Sequence, residues 1–167
     1  SGIVMTYDGG SSTYNITWNQ YGTIPEVQLR YSTDGGASYP DGNIITNITT
    51  GEEYYNWPVP DKIGYNLSIM ILDKNDSSVN DTSTNLFAIK GSILVDAPNG
   101  NEQWTVGDIM QINWTPTGTY PWGAIIQYKN ASGGDWLGNY TVAQCGDDGV
   151  TQTYNWTIPD DLSLIHI

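Results

Sequence analysis

The sequence is poor in the residues that carry out most nucleophilic catalysis, because it holds one histidine and one cysteine. The histidine, His166, lies among the last residues, so a Ser-His or Cys-His nucleophile system is not expected. With one cysteine, Cys145, no intrachain disulfide can form, and a small buried residue or an interchain bridge are the two interpretations left open. The sequence therefore predicts that the protein is not an enzyme.

Basic residues are also scarce: five Lys and Arg stand against eighteen Asp and Glu, for a net charge of −13. This charge repels nucleic acid and anionic membranes, so neither is an expected partner. No apolar run approaches the roughly eighteen residues of a transmembrane helix, so no direct membrane insertion is expected. The first residues show no signal peptide, and for an exported protein we expect a mature terminus or an internal cut there.

What the sequence has in excess is the Asn-x-Ser/Thr pattern, the acceptor motif for N-linked sugar. It occurs nine times, whereas a random order of the same residues would give about three. The excess predicts a densely glycosylated protein at an extracellular or cell-surface location. Passive accumulation of the motif in an Asn- and Thr-rich β protein is the alternative. The predicted acceptors are Asn15, Asn47, Asn66, Asn75, Asn80, Asn113, Asn130, Asn139 and Asn155.

The positions of these asparagines agree with surface sites. In the run around Asn15, Ile16 and Trp18 share one face of a strand while the asparagine lies on the other. The same phase holds around Asn113, Asn139 and Asn155. Three others, Asn75, Asn80 and Asn130, fall in runs of Asp, Asn, Ser and Gly that are typical of turns. We therefore expect every acceptor that the pattern orients to point outward.

The chain contains two copies of one unit. Residues Tyr55–Asp61 match Tyr154–Asp160 at an offset of 99, and Tyr14–Trp18 match Met110–Trp114 at an offset of 96. Tyr31 and Tyr128 hold equivalent positions between these matches. A period near 97 is too long for a solenoid repeat, and it fits one small β-sandwich per copy.

Short runs rich in Val, Ile, Thr, Tyr and Trp alternate with Gly, Asn, Asp and Pro clusters, which predicts β-strands and no helix. The predicted fold is all-β, with two tandem Ig-like or fibronectin-III-like sandwiches. Hairpin turns are expected at Asp34-Gly35-Gly36 and Ser132-Gly133-Gly134. The predicted strands are Tyr14–Trp18, Glu26–Ser32, Ile44–Ile48, Glu53–Val59, Leu67–Leu72, Asn85–Ile89, Ile93–Val95, Ile109–Trp114, Ala124–Lys129, Thr141–Ala143 and Gln152–Ile158.

The two copies are incomplete in complementary ways. The first sandwich is predicted over residues 1–90 with its opening strand incomplete, and the second over residues 91–167 with its closing strands missing. The short junction at Gly91-Ser92 predicts a stiff connection. A sandwich without its last strands exposes core and sheet edge, so it must pair with something.

The last six residues, 162–167, match the in-frame translation of a common transposase sequencing adapter. We therefore expect that the natural sequence departs from the printed one after Asp161.

A family resemblance becomes visible at Ala97–Gly107, which reads Ala-Pro-Asn-Gly-Asn-Glu-Gln-Trp-Thr-Val-Gly and is followed by Ile112-Asn113-Trp114. This run resembles the opening of Ig-like repeats in secreted microbial surface proteins, including the Ser/Thr-rich anchored proteins of fungal cell walls. Trp156–Asp160 is similar to a second hallmark of that group, and Trp57–Asp61 matches it in the first copy. The resemblance implies an exported, Ig-like module that serves as stalk, spacer or glycan-bearing wall.

Acidic residues offer weak candidates for chemistry. The pairs Glu52-Glu53 and Asp147-Asp148 are interpreted as solvated surface rather than as a catalytic pair. The region from Asp73 to Asp81 groups oxygen ligands that calcium could use, but it lacks the glycine and final glutamate of an EF-hand loop. A solvated turn is the favoured interpretation, so no metal and no cofactor other than covalent glycan is expected.

The tryptophans divide by position. Trp18, Trp114, Trp57 and Trp156 recur at equivalent places in the two copies, which predicts core packing. Trp122 and Trp136 lie in apparent loops, where exposed rings could stack on sugars or pack against a neighbouring domain.

Together these features predict a structural subunit of a heavily N-glycosylated extracellular filament or cell-surface fibre. Its partners would be copies of itself, joined head to tail by β-strand pairing between Ig-like units. The alternative is a non-catalytic carbohydrate-binding or adhesive accessory module that contacts polysaccharide. The density of acceptor motifs favours an archaeal cell surface.

Overall fold

The computed structural model describes residues 2–49, 51–129 and 135–160, and it divides the chain into two compact units, residues 1–90 and 91–167. The described residues form thirteen β-strands and one short 3-10 helix, Asp41–Asn43. The prediction of an all-β chain is confirmed, because the alternating apolar patterns become strands in both units.

Unit 1 consists of eight strands arranged in two sheets. The larger sheet has the order β1-β8-β6-β3-β4, and β7 pairs with β6 on the same edge as β8. Strands β2 and β5 form the second sheet. All pairs are antiparallel except β1 with β8, which run parallel. The strands are β1 (Val4–Thr6), β2 (Thr13–Thr17), β3 (Glu26–Ser32), β4 (Ile44–Thr49), β5 (Tyr54–Pro58), β6 (Gly64–Asp73), β7 (Asn80–Thr82) and β8 (Phe87–Lys90).

The core of unit 1 lies between these two sheets. The β5 residue Trp57 packs against Tyr31 of β3, with ring centroids 5.6 Å apart, and against Phe87 of β8 at 6.2 Å in an edge-to-face arrangement. Such pairs contribute about 0.5–1.5 kcal/mol beyond the area they bury. The other buried members are Met5, Ile16, Leu29, Val59, Leu67 and Ile89. Two sheets packed face to face around this cluster make unit 1 a β-sandwich of the Ig-like and fibronectin-III-like class.

Unit 2 has five strands within its described residues, in two smaller sheets. One sheet has the order β13-β10-β9, and β11 pairs with β12 in the other. Trp156 of β13 packs against Tyr128 of β11 at 4.9 Å and against Tyr140 of β12 at 6.0 Å, so the core again lies between two sheets. The strands are β9 (Ser92–Ala97), β10 (Ile109–Thr117), β11 (Ala124–Tyr128), β12 (Leu137–Val142) and β13 (Gln152–Thr157).

The two units differ in how the equivalent strands β3 and β11 are covered. In unit 1, β3 lies between β4 and β6, and its residue Leu29 is fully buried. Within the described part of unit 2, β11 pairs with β12 alone, and the equivalent residue Ile126 is only half-buried. Among the described residues of unit 2, no strand takes the place beside β11 that β6 takes beside β3.

Two strands were not predicted, β6 and β12 begin three and four residues before their predicted starts, and one turn is longer than expected. Strands β1 and β7 were not expected, because Val4–Thr6 lies in an irregular segment and Asn80–Thr82 is wholly exposed. Gly35 and Gly36 have the positive φ angles that favour glycine. The strands that they connect, β3 and β4, pair antiparallel as a hairpin does. The connection is eleven residues long, however, so the three predicted residues form only part of it. The second expected turn, residues 132–134, lies outside the described residues.

The connection after β3 is held by the carboxylate of Asp34. Its two oxygens accept hydrogen bonds from the hydroxyls of Ser32 and Ser38, both at 2.5 Å, and from the backbone N–H of Ser38 at 3.0 Å. The Ser32 hydroxyl bond contributes most, and together these bonds lower the pKa of Asp34 from 3.8 to about 2.

We expect the lowered pKa of Asp34 to affect how the stability of unit 1 depends on pH. Because the folded pKa is lowered, the contribution of Asp34 is fully present above about pH 3.8 and is lost as the pH falls through about 2. Asp34→Asn should therefore flatten the dependence of the unfolding midpoint on pH between these values, as measured by thermal unfolding at several pH values. Thr33→Ser, at the exposed neighbouring position, removes no carboxylate; it is the control and should keep the wild-type dependence. An equal slope in the wild type and Asp34→Asn would contradict this prediction.

Candidate functional site

Most of the predicted acceptor asparagines lie on the surface. Six of them are exposed: Asn15, Asn47, Asn66, Asn75, Asn80 and Asn155. Asn113 is half-buried. Asn130 lies outside the described residues, and Asn139 lies on β12 but its side chain is not among those described. Whether any of them carries sugar stays a prediction.

Asn15 and Asn155 lie on the outer faces of their sheets for the same reason. Each is on a strand whose next residue, Ile16 or Trp156, is buried, and alternation turns the asparagine to solvent. Asn15 is directly opposite Asn56 across the β2–β5 pair, and Asn155 is opposite Gln111 across β10–β13. Both asparagines therefore stand on polar surfaces.

Asn47 is held in place by a row of polar side chains across β3 and β4. Its Oδ1 accepts a hydrogen bond of 2.8 Å from Gln28 Nε2, and Gln28 Oε1 accepts one of 2.6 Å from Arg30 Nε. Arg30 also forms an ion pair with Asp41 at 2.9 Å. This row holds the amide of Asn47 through its oxygen. The amide nitrogen Nδ2, to which N-linked sugar is attached, takes no part in that hydrogen bond.

Asn66 and Asn80 are exposed but are tied into the structure in different ways. The hydroxyl that completes the Asn66 motif belongs to Ser68, which is 3% exposed. It is bonded to the hydroxyl of Tyr39 at 2.8 Å and to that of Ser83 at 3.0 Å. At Asn80 the amide nitrogen itself is engaged, because its Nδ2 donates a hydrogen bond of 2.9 Å to the backbone oxygen of Ser77.

Asn113 departs from the expectation that the oriented acceptors point outward to solvent. It lies on β10 between β9 and β13, opposite Ala97, where the β9 register shifts. Its Oδ1 is buried without a hydrogen-bond partner among the described residues. The hydroxyl of its motif, Thr115 Oγ1, donates to Asp96 Oδ2 at 2.7 Å and is 2.8 Å from Thr151 Oγ1. Alternation placed Asn113 on the outer face correctly, but the residue is half-buried there and its amide oxygen is shielded from solvent.

Unit 2 carries an exposed apolar strand edge. Ile93, Leu94 and Val95 are consecutive in β9, and all three are about half exposed or more, with Leu94 at 64%. Within the described residues β9 pairs with β10 alone, so its other edge is unpaired. We call residues 93–95 the β9 edge. Natural sheets usually blunt such edges with charge, proline or a bulge, and the β9 edge has none of these at its three positions.

The two loop tryptophans are exposed, but they do not form one platform. Trp122 precedes β11 and Trp136 precedes β12. Because Ala124 pairs with Val142 and Tyr128 pairs with Leu137, the two rings belong to opposite ends of the β11–β12 pair. The strand between them spans about 13 Å. The ring of Trp136 has the ammonium of Lys129 4.4 Å from its centroid, so one face of this ring is already occupied by a cation.

The acidic side chains mostly bind the backbone. Glu53 Oε1 accepts from the N–H of Gln20 at 2.9 Å, Asp148 Oδ1 from Gly118 at 2.7 Å, and Asp76 Oδ1 from Ser78 at 3.0 Å. Across the described ranges, no group of three or more His, Cys, Asp or Glu side chains could hold a metal ion. These contacts agree with the interpretation of the acidic runs as turns.

Cys145 is a buried packing residue. Burial raises the pKa of its thiol, and its backbone oxygen accepts a hydrogen bond of 2.7 Å from the indole of Trp114. A thiol with a raised pKa has less of the reactive thiolate, so the structure favours the first of the two interpretations of this cysteine. The one histidine, His166, lies outside the described residues.

The residues that carry the family resemblance have local structural roles. The carboxylate of Glu102 accepts from the backbone N–H groups of Asn99 at 3.0 Å and Gly100 at 2.7 Å, and these bonds lower its pKa. Asp108 Oδ2 accepts a hydrogen bond of 2.7 Å from the N–H of Thr105, in a turn where Gly107 has a positive φ. The motif therefore encodes two turns that lead from β9 to β10.

No helix among the described residues has the length and apolar character needed to cross a membrane.

Comparison with known proteins does not assign the chain to a family. No protein-family model matches the chain, and no curated protein matches it. A solved structure described as "Structures of Clostridium thermocellum CbhA fibronectin(III)-like modules" is 14% identical, over 100% of this chain and 94% of that chain, with a TM-score of 0.30. A score this low means that the two chains superpose poorly. The assignment to the Ig-like and fibronectin-III-like class therefore depends on the strand order, register and core packing described above, and the resemblance to microbial surface repeats stays a prediction.

Proposed function

We propose that this protein is a non-catalytic structural subunit of an N-glycosylated extracellular filament or cell-surface fibre. The observation that carries the proposal is that polar sheet faces with exposed acceptor asparagines occur in the same chain as an apolar, unpaired strand edge. Sugar on the faces would keep the fibre soluble and protected, and the edge would join one copy to the next.

The β9 edge supports the assembly step. An unpaired strand presents a row of backbone N–H and C=O groups, and a strand from another chain can pair with them as it would inside a sheet. Side chains at residues 93–95 project alternately to the two faces, so a partner strand would cover apolar surface on both sides of the new pair. Within the described residues β11 likewise pairs on one side only, so its other side offers a second place for the same kind of pairing.

The distribution of the acceptors is compatible with such pairing. The sequences of β9 and β11 contain no Asn-x-Ser/Thr motif. The exposed acceptors lie instead on β2, β4, β6, β7 and β13 and in the turn that follows β6. A bulky glycan on β9 or β11 would block a partner strand, whereas glycans on the other strands would leave both open edges accessible.

Leu94→Lys tests the role of the β9 edge. Lysine on an edge strand disfavours pairing with another strand, so we expect the variant to remain folded and to lose most fibre formation. Sedimentation and electron microscopy of the assembled material would measure this. Tyr21→Lys, which changes an exposed residue in a loop of unit 1, is the matched control and should assemble normally. Unaltered fibres from Leu94→Lys would contradict pairing through the β9 edge.

A second candidate function is a carbohydrate-binding or adhesive module, and exposed Trp122 and Trp136 favour it. Because the rings lie at opposite ends of β11–β12, each would act as a separate stacking site rather than as one extended platform. Polysaccharide binding by dispersed monomers, lost in Trp122→Ala or Trp136→Ala, would favour this function over the fibre. Fibres formed equally well by both variants would favour the structural subunit.

A further inference from the structure

The acceptor motifs differ in what the folded chain leaves accessible. Attachment of N-linked sugar joins Asn Nδ2 to the anomeric carbon of an activated sugar phosphate. The bond from that carbon to the phosphate oxygen breaks, the phosphate leaves, and Nδ2 loses a proton. The motif is defined by the asparagine and by the hydroxyl two residues later. A transferase acting on the folded chain must therefore reach both groups.

Four motifs leave both groups accessible. On β2 and β13, the pairs Asn15 with Thr17 and Asn155 with Thr157 are exposed on one face of their strand, because residues two apart share a face. At the end of β4, Asn47 and Thr49 are also exposed, and Gln28 holds the amide by its oxygen. Asn75 and Ser77 are exposed in the turn after β6. We call Asn15, Asn47, Asn75 and Asn155 the open acceptors.

Three motifs are closed by the fold, each through a different combination of atoms. The hydroxyl is buried and bonded at Asn66, since Ser68 binds Tyr39 and Ser83. The amide nitrogen is engaged at Asn80 by the oxygen of Ser77. At Asn113 the amide oxygen is buried and the motif hydroxyl is bonded to two side chains. We call Asn66, Asn80 and Asn113 the closed acceptors.

We infer that folding selects the glycosylation sites, so that the folded chain accepts sugar at the open acceptors and the closed acceptors can be modified only before their unit folds. This inference deepens the proposed function, since it states which faces of the subunit carry the sugar. The outer faces of β2 and β13 and the end of β4 would carry sugar in the assembled protein. Asn113 itself, on β10 between β9 and β13, would carry none.

The test compares folded and unfolded chain with one transferase. Unglycosylated protein and synthetic peptides centred on each acceptor are each incubated with an oligosaccharyltransferase and a lipid-linked sugar donor, and occupancy at each asparagine is measured by mass spectrometry over time. We expect the open acceptors to be modified in both samples. The closed acceptors should be modified at least tenfold more slowly in the folded chain than in the peptides. Similar rates at Asn113 and Asn15 in the folded chain would overturn the inference.

A pair of variants provides a second readout in protein made by glycosylating cells. Asn15→Gln should reduce the mass by one glycan, whereas Asn113→Gln should leave the glycan count unchanged if transfer follows folding. A loss of one glycan from both variants, with equal in vitro rates at the two sites, would show that folding does not select. Native material in which every acceptor is unmodified would contradict the proposed glycosylated fibre. The comparison of folded chain and peptides in vitro would still decide whether folding selects the sites.

Discussion

Trp57→Ala is expected to unfold unit 1 under conditions in which the wild type is folded. The ring of Trp57 is buried between the two sheets and contacts Tyr31 and Phe87. Replacing a buried tryptophan with alanine costs about 3–5 kcal/mol, from lost apolar burial and the cavity left behind. That cost is comparable with the total stability of many small domains, which is about 5–15 kcal/mol.

Urea unfolding followed by circular dichroism would measure the change for residues 1–90 in the full chain. Trp136→Ala is the matched control, because its ring is 61% exposed and the substitution should change the free energy of unfolding by less than about 1 kcal/mol. Equal losses of stability in the two variants would mean that the core of unit 1 is not organised around Trp57.

Gly91→Ala is expected to have the second large effect, in unit 2. A Cβ atom on Gly91 would lie 1.9 Å from the backbone oxygen of Thr117 and 3.1 Å from its carbonyl carbon. Thr117 pairs with Ser92 at the start of the β9–β10 ladder. A backbone atom in a ladder cannot rotate away as a side chain does, so the first pairs must separate. We expect a loss of about 1–3 kcal/mol, which is the usual cost of overpacking.

Hydrogen exchange at the amides of β9 and β10 would locate this effect. Protection should fall first in the pairs next to Thr117 and less in the β10–β13 ladder. Gly42→Ala is the control, since nothing lies within 4 Å of its added Cβ and its φ is not positive. That variant should change stability by no more than about 0.5 kcal/mol. A Gly91→Ala protein with wild-type protection in β9 would show that the close approach is absent in solution.

Local patterns predicted most of the strands because each strand has its own alternation. β3, for example, was predicted from Glu26 to Ser32 and has these bounds in the structure. β1 could not be predicted in this way, since Val4–Thr6 is a strand through its parallel pairing with β8, more than eighty residues away. β7 has no apolar face at all and forms because it lies beside β6.

The candidate sites show the same division between local and non-local information. Alternation correctly predicted that Asn15 and Asn155 are exposed, because a buried neighbour on the strand is enough to turn them outward. It could not predict that Asn113 is covered, since that depends on Ala97 and the other residues placed beside it by the sheet. The separation of Trp122 from Trp136 likewise depends on the register of β11 with β12. That register cannot be read from the local pattern of either strand.

The parallel pairing of β1 with β8 determines how unit 1 responds to a pulling force. The two strands are joined through residues 3–7 and 87–90, with the N–H of Tyr7 bonded to the oxygen of Lys90 at 2.7 Å and that of Ala88 to the oxygen of Ile3 at 3.0 Å. Tension applied to the chain before β1 and after β8 pulls these parallel strands in opposite directions along their length. The load is then shared by all the bonds of the pair at once, instead of opening them one after another. Unit 1 is therefore arranged to resist extension along the chain.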